Sequence, residues 1–404
     1  MSEIIVQKYG GTSVGSPERI QAVAKRVQQF RKTNPFVVIV VSAMGDTTDD
    51  LIALSKQIST SPNPREYDAL ISTGENISAA LTAMALQALG VPAISLTGPQ
   101  AGVITQGIHS KSKIAKVNTD RILAELKEGK VVVVTGFQGL NDANDVTTIG
   151  RGGSDTSAVV LAAALKAPIC DICTDVDGVY TTDPRKVATA TKISEISYDE
   201  MLELASLGAK VLHPRSVECA KENGIILHVR SSFKMDEGTY VKEASAMEVN
   251  RPVTGVTLNS SEAQVSICGV PDSPGVAGKV FTRLADESIN VDMIIQSLGA
   301  DGKNQISFTV DQDDLANAKV ITEQVARELG AGSVECDDEV AKVSIVGVGM
   351  MSKPGVAATL FRTLGDHGIN IRLISTSEIK VSCVVPKSEG QRALELLHSA
   401  FELG

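Results

Sequence analysis

The first strand, turn and helix of the chain are encoded by Ile4-Ile-Val-Gln-Lys-Tyr-Gly-Gly-Thr-Ser-Val-Gly-Ser-Pro17. Apolar residues 4–7 predict a short strand, and Gly10-Gly11 predicts a tight turn. Ser16 followed by Pro17 predicts the start of a helix. That helix then shows apolar residues at helical spacing, namely Ile20, Val23, Ala24, Val27 and Phe30. A buried strand that a glycine-rich turn joins to an amphipathic helix is typical of α/β folds.

The same alternation continues to about residue 230. Apolar runs predict strands at 37–41 and 131–134, and helical patterns cover 50–57, 74–89 and 156–165. Uniformly apolar strands that alternate with helices predict a three-layer αβα sandwich around a mostly parallel sheet. Residues 237–251 are polar and have no clear period, which predicts a linker.

An internal repeat of roughly eighty residues follows the linker. Three stations recur in order: Val265-Ser-Ile-Cys-Gly-Val270 with Val343-Ser-Ile-Val-Gly-Val348, Ser273-Pro-Gly-Val-Ala277 with Lys353-Pro-Gly-Val-Ala357, and Ile289-Asn-Val-Asp292 with Ile369-Asn-Ile-Arg372. Each copy predicts a ferredoxin-like βαββαβ module. The expected domains are therefore 1–248, 249–335 and 336–404, with strand 253–258 interleaved into the last.

Composition excludes several classes of function. The 404 residues are 43% hydrophobic and 3% aromatic and carry a formal net charge of -10. This balance excludes a mostly disordered chain, and the acidity gives no reason to bind nucleic acid or an anionic membrane. The longest apolar run, around 36–41, is far shorter than the ~20 residues that span a bilayer. With no signal-peptide pattern, the sequence predicts a cytoplasmic protein.

Four residues could suggest a metal site, but their spacing does not. Cys170 and Cys173 form a Cys-x-x-Cys pair without a second pair or a histidine cluster, inside an apolar run that predicts a buried strand. His213 and His228 also lack metal-ligand spacing. We expect all four to be structural and no metal ion to be held by protein side chains alone.

Two glycine-rich turns carry the candidate chemistry, Lys8-Tyr-Gly-Gly-Thr-Ser-Val-Gly15 and Gly150-Arg-Gly-Gly-Ser-Asp155. Each is predicted to lie between a strand and a helix, where backbone N–H groups and the helix N-terminus attract phosphate. One turn contains a lysine and the other an arginine and an aspartate, a combination that favours phosphoryl transfer. Neither turn matches the P-loop pattern.

These turns belong to four motifs that resemble, in order, those of the amino-acid-kinase family: Lys8-Tyr-Gly-Gly-Thr-Ser13, Ser72-Thr-Gly-Glu75, Gly150–Asp155 and Thr174-Asp-Val-Asp-Gly-Val-Tyr-Thr-Thr-Asp-Pro-Arg185. They are most similar to the members that use ATP to convert L-aspartate into 4-phospho-L-aspartate. The repeat resembles the paired ACT regulatory modules of those enzymes. The resemblance implies an ATP- and Mg²⁺-dependent kinase at the first step of lysine, threonine and methionine biosynthesis.

Two other functions compete with this one. A kinase of the same fold could act on acetylglutamate, glutamate or UMP, but the first motif together with a C-terminal ACT pair argues against that. An inactive amino-acid sensor could retain the fold, but the presence of Lys8, Arg151 and Asp155 argues against it.

The resemblance and the chemistry assign roles at the phosphate. Lys8 is the expected cation on the transferring group, and Asp155 is expected to orient lysine and the phosphate-binding loops, although it could also cap the following helix. Backbone at Gly10 and Gly11 can approach phosphate. The full set expected to bind ATP is Lys8, Tyr9, Gly10, Gly11, Thr12, Ser13, Thr174, Asp175, Tyr180, Asp183, Arg185 and Lys210.

L-Aspartate carries two carboxylates and one ammonium, so its pocket needs both charges. Arg151 suits bidentate capture of the α-carboxylate, and Glu75 suits the ammonium or, alternatively, the helix dipole. By resemblance, Ser42 and Thr47 complete the site, although both also fit plain turn chemistry. The neighbours expected to contribute are Gly152, Gly153 and Ser154.

The paired ACT modules imply feedback inhibition by lysine, threonine or both. The residues expected at the effector sites are Asp272, Ser273, Pro274, Gly275, Asn290, Asp292, Met293, Ile294, Gln296, Ile374 and Ser375. They fall in the loop after the first strand and in the strand after the first helix of each copy. Asp292 stands where the second copy has Arg372, which favours a cationic or zwitterionic effector at the first. We expect a homo-oligomer, or an α2β2 assembly with a shorter regulatory subunit that begins near Met247.

Overall fold

Valine-rich strands form the centre of the first part of the chain, because β-branched side chains fit a sheet that is covered on both faces. A computed structural model describes residues 3–208, 211–244, 251–298 and 302–404. Among these residues the chain divides into two compact units. The first draws on Met1–Val179, Lys192–Ala205 and Lys210–Ser245, and the second on Tyr180–Thr191, Ser206–Ala209 and Ala246–Gly404.

The first unit is built from strands and helices that alternate along the chain. Its strands are β1 Ile5–Tyr9, β2 Val37–Val41, β3 Ala93–Leu96, β4 Val103–Gln106, β5 Lys113–Val117, β6 Val131–Thr135, β7 Gln138–Leu140, β8 Val146–Thr148, β9 Ile169–Thr174, β10 Val179–Tyr180, β11 Lys192–Ile193, β12 Glu195–Ser197, β13 Ile226–Ser231 and β14 Thr239–Lys242, with Tyr180 at the end of β10 belonging to the second unit. Its helices are α1 Pro17–Phe30, α2 Thr47–Ile58, α3 Pro64–Ile71, α4 Thr73–Ala88, α5 Asp120–Lys127, α6 Gly153–Ala164, α7 Tyr198–Ser206 and α8 Pro214–Asn223.

An eight-stranded sheet forms the core of the first unit, in the order β12-β14-β13-β9-β1-β2-β6-β3. Its pairs are parallel except for the antiparallel pair of β13 with β14. Helices α1 and α4 pack on one face through residues such as Val27 and Leu86. Helix α6 contacts β1, β2 and β9, and also packs against α8. The predicted αβα sandwich is confirmed.

A smaller four-stranded sheet is part of the same unit, in the order β5-β4-β7-β8. It joins β4 and β5 to the hairpin of β7 and β8, in which Gln138 pairs with Thr148. Strand β8 ends immediately before the second glycine-rich turn.

The second unit contains one antiparallel sheet shared by the two copies of the repeat. Its elements are β15 Gly255–Pro271, α9 Val276–Asp286, β16 Ile294–Leu298, β17 Lys303–Asp311, α10 Leu315–Leu329, β18 Val334–Val346, α11 Val356–Asp366, β19 Leu373–Thr376, β20 Lys380–Pro386 and α12 Gly390–Ala400. The strand order is β16-β17-β15-β18-β20-β19.

The long strands β15 and β18 each serve both copies. Residues 262–271 of β15 pair with β17 of the first copy, and its residues 255–259 pair with the part of β18 that also pairs with β20. Each copy retains its own core, one around Phe308 and one around Leu360. The expected ferredoxin-like modules are confirmed.

Several element boundaries differ from the sequence-based expectations. Helix α6 begins at Gly153 and not near 156, and strand β1 extends through Lys8 and Tyr9. The segment 237–251, predicted as a linker, contains β14, which joins the main sheet because Val241 fills its core. Helix α3 was not predicted. Among the described helices, none is both long enough and apolar enough to cross a membrane.

Candidate active site

The carboxyl ends of β1, β2 and β9 adjoin and place three turns side by side. The backbone N–H of Gly10 donates to the carbonyl of Cys173 at 3.3 Å, and that of Gly45 donates to the carbonyl of Gly11 at 3.1 Å. A β-carbon at Gly11 would lie 2.9 Å from the carbonyl oxygen of Ala43, so only glycine lets the two turns approach this closely. In open α/β sheets this edge is where ligands bind.

Lys8 and Asp155 form an ion pair at this edge. The Nζ of Lys8 lies 2.6 Å from Oδ1 of Asp155, and the two side chains are 11% and 15% exposed. A β-carbon at Gly10 would lie 3.3 Å from the same Nζ. The lysine therefore lies over the glycine turn, where an anion could approach it. Asp155 is the third residue of α6, whose N-cap is Gly152, so the alternative that Asp155 caps this helix is wrong.

The turn between β8 and α6 requires its glycines. Gly150 and Gly152 have φ angles of 76° and 71°, and a β-carbon at Gly152 would lie 2.1 Å from the ring Cγ of His213. An Nη1 of Arg215 donates to the carbonyl of Ile149 at 2.6 Å. Burial, reinforced by the charge of Arg215, lowers the pKa of His213. His213 and Arg215 thus support the turn, while Arg151 is exposed at its tip.

Glu75 is a buried carboxylate next to the end of β2. It lies in the first turn of α4 and is 3% exposed. Its Oε1 accepts the N–H of Ala43 at 3.1 Å, and its Oε2 has no hydrogen-bond partner among the described residues. Burial raises the pKa of Glu75 to about 7. A buried carboxylate with one unused oxygen is suited to receive a cation.

Ser42 and Thr47 lie in the same neighbourhood. Ser78, one turn after Glu75 on α4, donates its hydroxyl to the carbonyl of Ser42 at 2.6 Å. A β-carbon at Gly74 would lie 2.8 Å from Cβ of Ala43 and 3.5 Å from Cγ2 of Thr47. The Thr47 hydroxyl donates to the carbonyl of Met44 at 2.6 Å, which is turn chemistry. The structure therefore groups Ser42, Thr47 and Glu75.

Gly153 and Ser154 begin α6 and face the end of the β6 strand. A β-carbon at Gly153 would lie 2.8 Å from Cδ2 of Phe137, and one at Gly136 would lie 2.7 Å from Oγ of Ser154. The start of α6 is therefore closely packed, and its backbone N–H groups are fixed in direction. A fixed helix N-terminus favours an anion.

Two residues expected at the nucleotide are used differently by the fold. The Tyr9 side chain is fully buried in the core, where its hydroxyl donates to Oε1 of Gln7 at 3.2 Å, and burial raises its pKa well above the usual value. The Ser13 hydroxyl is also buried and donates to Oγ of Ser232 at 2.8 Å. Both side chains are therefore used within the fold, so a contact of Tyr9 or Ser13 with ATP would have to come from the backbone. Thr12 is exposed, and its carbonyl accepts from Arg19 at 2.6 Å.

The fourth motif is divided between the two units. Thr174 is the last residue of β9 and Asp175 follows it in the first unit, where the Thr174 hydroxyl donates to Oδ1 of Asp175 at 3.1 Å. Tyr180, Asp183 and Arg185 belong to the second unit, where Arg185 is bound to Asp183 by an ion pair of 2.9 Å. Lys210 lies outside the described residues.

The residues expected at the effector sites have equivalent positions in the two copies. Gly275 and Gly355 precede α9 and α11 with φ angles of 90° and 97°. In the first copy the expected residues Ser273 and Pro274 are exposed, and Asn304 donates its side-chain amide to Asp272 at 3.0 Å. These loops therefore expose polar groups at the same place in each copy.

The second effector segment lies slightly earlier than expected. Asn290, Asp292 and Met293 precede β16 and do not belong to it, because the strand begins at Ile294. Met293 is buried in a cluster with Leu373 of the other copy, while Ile294 and Ile374 are 51% and 43% exposed. Gln296 is exposed as well, and Ser375 is half-buried. Asp292 is bound by Lys342 in an ion pair.

Some residues around the candidate active site in the first unit had no signal in the sequence. Asp68 on α3, Gln138 on β7 and Ser232 after β13 all bind segments that are distant in the chain. Only their contacts show their importance. Asn76 accepts from Nε2 of Gln138 at 3.2 Å and so holds β7.

The described residues contain no group of three or more His, Cys, Asp or Glu side chains that could hold a metal ion. All six cysteines are free, and Cys170 and Cys173 are buried in β9. The exposed Arg151, the Lys8 ammonium and two glycine turns are instead suited to an anion. The site therefore combines a phosphate-binding edge with a buried carboxylate.

These features are those expected of a site that binds an anion beside a buried carboxylate, and comparison with known proteins gives the family. The profile of the amino acid kinase family matches residues 3–231, and that of the ACT domain matches 265–324 and 343–401. The chain belongs to the amino acid kinase family, and within it to the aspartate kinases with two C-terminal ACT domains.

Relatives along the whole chain carry that name. An aspartokinase of Bacillus sp. (strain MGA3) is 52% identical over 99% of this chain and 97% of its own, and an aspartokinase of Thermus thermophilus is 49% identical over 99% of both. Escherichia coli aspartokinase III, solved with aspartate and ADP, is 27% identical, with a TM-score of 0.80 over 98% of this chain and 99% of its own.

Proposed function

We propose that this enzyme transfers the γ-phosphoryl group of ATP to the β-carboxylate of L-aspartate and forms 4-phospho-L-aspartate. The observation that carries the proposal is Glu75, a buried carboxylate whose Oε2 has no partner among the described residues. An α-ammonium group would supply the missing partner. The E. coli relative solved with aspartate and ADP supports the same pair of substrates.

The substrate carboxylate needs no protein base, because it is already ionised near neutral pH. One of its oxygens attacks the γ-phosphorus, and the bond from that phosphorus to the departing ADP oxygen breaks. The protein must therefore align the two substrates and offset negative charge. We assign the charge compensation to Lys8 and the N-terminus of α6, and we assign the orientation of Lys8 to Asp155.

We assign the α-carboxylate of aspartate to Arg151, whose guanidinium can bind it with two hydrogen bonds. Ser42 and Thr47 lie beside Glu75 and complete the substrate site. Gly152, Gly153 and Ser154 form the start of α6 immediately before Asp155, so their backbone lies next to that residue. Opposite charges at Glu75 and Arg151 then bind the ammonium and the carboxylate on Cα of the amino acid and leave its side-chain carboxylate to react.

ATP fits the first turn because Gly10, Gly11 and Thr12 offer backbone close to Lys8. Thr174 and Asp175 begin the segment assigned to the nucleoside, together with Tyr180, Asp183, Arg185 and Lys210. Mg²⁺ would be held chiefly by the phosphates, and when bound it neutralises their charge. The carboxylate of Asp155 is the protein group best suited to assist.

The decisive experiment is a coupled ADP-release assay on the full chain with L-aspartate, L-glutamate, acetylglutamate and UMP, each with and without Mg²⁺. We expect turnover with aspartate that depends on Mg²⁺. Faster turnover with another acceptor would reassign the substrate, and no turnover with any acceptor would favour an amino-acid sensor. Trapping the product with hydroxylamine identifies the acyl phosphate.

We further propose that lysine, threonine or both inhibit the enzyme through the ACT pair. E. coli aspartokinase III, solved in complex with lysine and aspartate in a T-state, supports this type of control. The exposed residues Asp272, Asn290 and Gln296 are available to an amino acid. Inhibition of wild type and Asp292→Ala by each amino acid tests the site: unchanged inhibition would remove Asp292 from it.

The remaining assignments are also proposals. We place the domain boundaries at 1–248, 249–335 and 336–404 and the enzyme in the cytoplasm, at the entry to lysine, threonine and methionine biosynthesis. We propose a homo-oligomer or an α2β2 assembly with a regulatory chain that starts near Met247, which lies outside the described residues. Native mass spectrometry of the purified assembly distinguishes these states.

A further inference from the structure

Asp68 is a buried carboxylate that receives donors from two distant segments. It lies on α3 and is 0% exposed. From the segment after β4 it accepts the His109 ring Nδ1, the Ser110 N–H and the Ser110 hydroxyl, each at 2.9 Å. From the end of β8 it accepts the Thr148 N–H at 3.0 Å and the Thr148 hydroxyl at 2.7 Å.

Asp68 is therefore fully used by the protein and cannot itself bind substrate. Its two oxygens accept five hydrogen bonds, which exceeds what a single cap or turn requires. Hydrogen bonds to an ionised carboxylate are among the strongest that side chains make. Such a group fixes the relative positions of the segments that donate to it.

The two segments that Asp68 joins, β8 and α3, are each followed in the chain by a part of the candidate substrate site. Thr148 is two residues before Gly150, where the turn that carries Arg151 begins. On the other side, α3 ends at Ile71 and α4 begins at Thr73, so Glu75 follows Asp68 by two helical turns. Asp68 thus joins the segment that presents Arg151 to the segment that presents Glu75.

Two further contacts bind the same elements together. Nε of Arg65 on α3 donates to Oδ1 of Asp145, just before β8, at 2.9 Å. Nε2 of Gln138 on β7 donates to the carbonyl of Ser72 at 2.8 Å. The Arg65 side chain is 52% exposed, so that pair contributes little by itself. Asp68 is the buried centre of the connection.

We propose that Asp68 is a positioning residue for the amino-acid substrate: it sets the distance between the Arg151 turn and Glu75. This inference rests on the proposed function, because it takes Arg151 and Glu75 as the residues that bind the α-carboxylate and the α-ammonium of aspartate. A shift of about 1 Å in one of two clamping groups can cost about 10²-fold in rate. The ATP turn after β1 has no contact with Asp68 among the described hydrogen bonds.

The test compares Asp68→Asn with wild type under steady-state conditions in the full-length enzyme. Asparagine places an NH₂ donor against donors and so disrupts the cluster at nearly constant volume. We expect the KM for aspartate to rise by about tenfold or more and kcat to fall, with the KM for ATP within about twofold. Ser110→Ala and Thr148→Val each remove one hydroxyl and should give smaller shifts in the same direction.

Glu200→Gln is the matched control. Glu200 is also a buried carboxylate, 1% exposed, and accepts the Ser197 N–H at 3.2 Å and the Ser197 hydroxyl at 2.6 Å, but it lies on α7. We expect this variant to lower the melting temperature without a selective change in the KM for aspartate.

The outcomes separate this inference from the proposed function. If wild type does not turn over aspartate, the proposed function fails. If wild type is active and Asp68→Asn loses thermal stability but keeps its KM for aspartate, Asp68 is only structural and the inference is overturned. If Asp68→Asn does not fold, Thr148→Val and Ser110→Ala decide: an unchanged KM for aspartate in both also overturns it.

Discussion

Two buried glutamates, one in each unit, have opposite surroundings. Glu262 on β15 is 4% exposed and accepts Nζ of Lys342 at 2.5 Å and Nδ2 of Asn259 at 2.9 Å. Glu75 is 3% exposed, yet among the described residues it accepts only one backbone N–H, from Ala43. The fold supplies a cation to Glu262 and leaves Glu75 without one. Glu262, which has its own cation, is a structural element, whereas Glu75, which keeps one oxygen without a partner among the described residues, is suited to a ligand.

The lysines show the same contrast. Lys342 is 3% exposed and lies between Glu262 and Asp292 within the sheet of the ACT pair. Lys8 pairs with Asp155 at the end of a strand, over a glycine turn that leaves room for an anion. Burial alone lowers the pKa of Lys342, but the two carboxylates outweigh it, and the pKa lies above the ordinary value. The pairing of a lysine with a carboxylate is thus buried within a sheet in the second unit, whereas in the first unit it lies at a strand end where an anion can approach.

The largest expected effect is the loss of activity when Lys8 is replaced. Lys8→Met should lower kcat by about 10³-fold or more, because the charge that develops on the transferred group loses its cation. Thermal stability should fall as well, because the Asp155 side chain is only 15% exposed and loses its cation. Steady-state kinetics and a thermal melt measure both.

Lys130→Met is the control for that variant. Lys130 also pairs with carboxylates, Glu125 at 2.6 Å and Glu128 at 2.7 Å, but lies at the end of α5. It should keep wild-type kcat. A Lys8→Met enzyme with more than about a tenth of wild-type kcat would contradict the role of Lys8.

Replacing Lys342, which is buried between two carboxylates, should lower the free energy of unfolding. Lys342→Met leaves Glu262 buried and unpaired, and breaking such a pair costs about 3–5 kcal/mol. The raised pKa gives the pH dependence: the contribution of Lys342 is complete below pH 10.5, its unfolded value, and is lost as the pH rises through the higher folded value. Urea unfolding of the full chain, monitored by circular dichroism, measures the change.

A double variant sharpens this result. Replacing both partners, with Glu262→Leu added to Lys342→Met, should recover most of the loss because no charge remains buried. If the double variant is as unstable as the sum of the two single variants, the pairing of Lys342 with Glu262 is not the source of the effect.

The third prediction concerns pH and Glu75. An ammonium needs the ionised carboxylate, and the pKa of Glu75 is about 7. The kcat/KM for aspartate should therefore rise between pH 6 and 8, by up to about tenfold. Glu75→Gln should raise the KM for aspartate by about 30-fold and flatten the part of the profile that belongs to the free enzyme.

The contribution of Glu75 to the free energy of unfolding should fall as the pH rises, which is opposite to the rise expected in kcat/KM. Its folded pKa lies above the unfolded value of 4.5, so its contribution is fully present below pH 4.5 and is lost as the pH rises through about 7. Glu75→Gln should therefore gain stability relative to wild type at pH 8 and not at pH 4. An unchanged pH profile of kcat/KM in the variant would exclude Glu75 as the titrating group.

The smallest expected effect lies in the second ACT module. Arg372 occupies the position equivalent to Asp292 and pairs with Asp337, but these side chains are 36% and 32% exposed. Exposed pairs contribute about 1 kcal/mol or less, so Arg372→Gln should cost no more than that in urea unfolding. A loss above about 2 kcal/mol would show that the two modules depend on their ion pairs equally.

Much of the fold follows from local sequence. Valine runs identified strands β2 and β6, and Ser16 with Pro17 identified the start of α1, because these signals act over a few residues. Errors arose where tertiary contacts decide. Strand β14 lies in a polar segment that becomes ordered by pairing with β13, and α3 is short and held mainly by Asp68. Neither contact has a local pattern.

The candidate site divides in the same way. Glycine turns and their charged residues stand out in the sequence because few side-chain types allow backbone to approach phosphate. The burial of Tyr9 and Ser13 did not stand out, because it depends on neighbours that are distant in the chain, such as Ser232 beside Ser13. Asp292 was expected to attract a cationic effector, and the fold already presents it with Lys342, fifty residues later.

The sequence by itself determined the αβα sandwich, the two ferredoxin-like modules and the residue types available at the phosphate, because periodicity and glycine turns are properties of short segments. Only the tertiary structure decided which carboxylates receive a cation from the chain and which do not. Glu262 meets Lys342 across two strands, Asp68 gathers donors from 109, 110 and 148, and Glu75 keeps one oxygen without a partner among the described residues. The physical reason is that desolvation and pairing depend on neighbours in space, and those neighbours are distant in the chain.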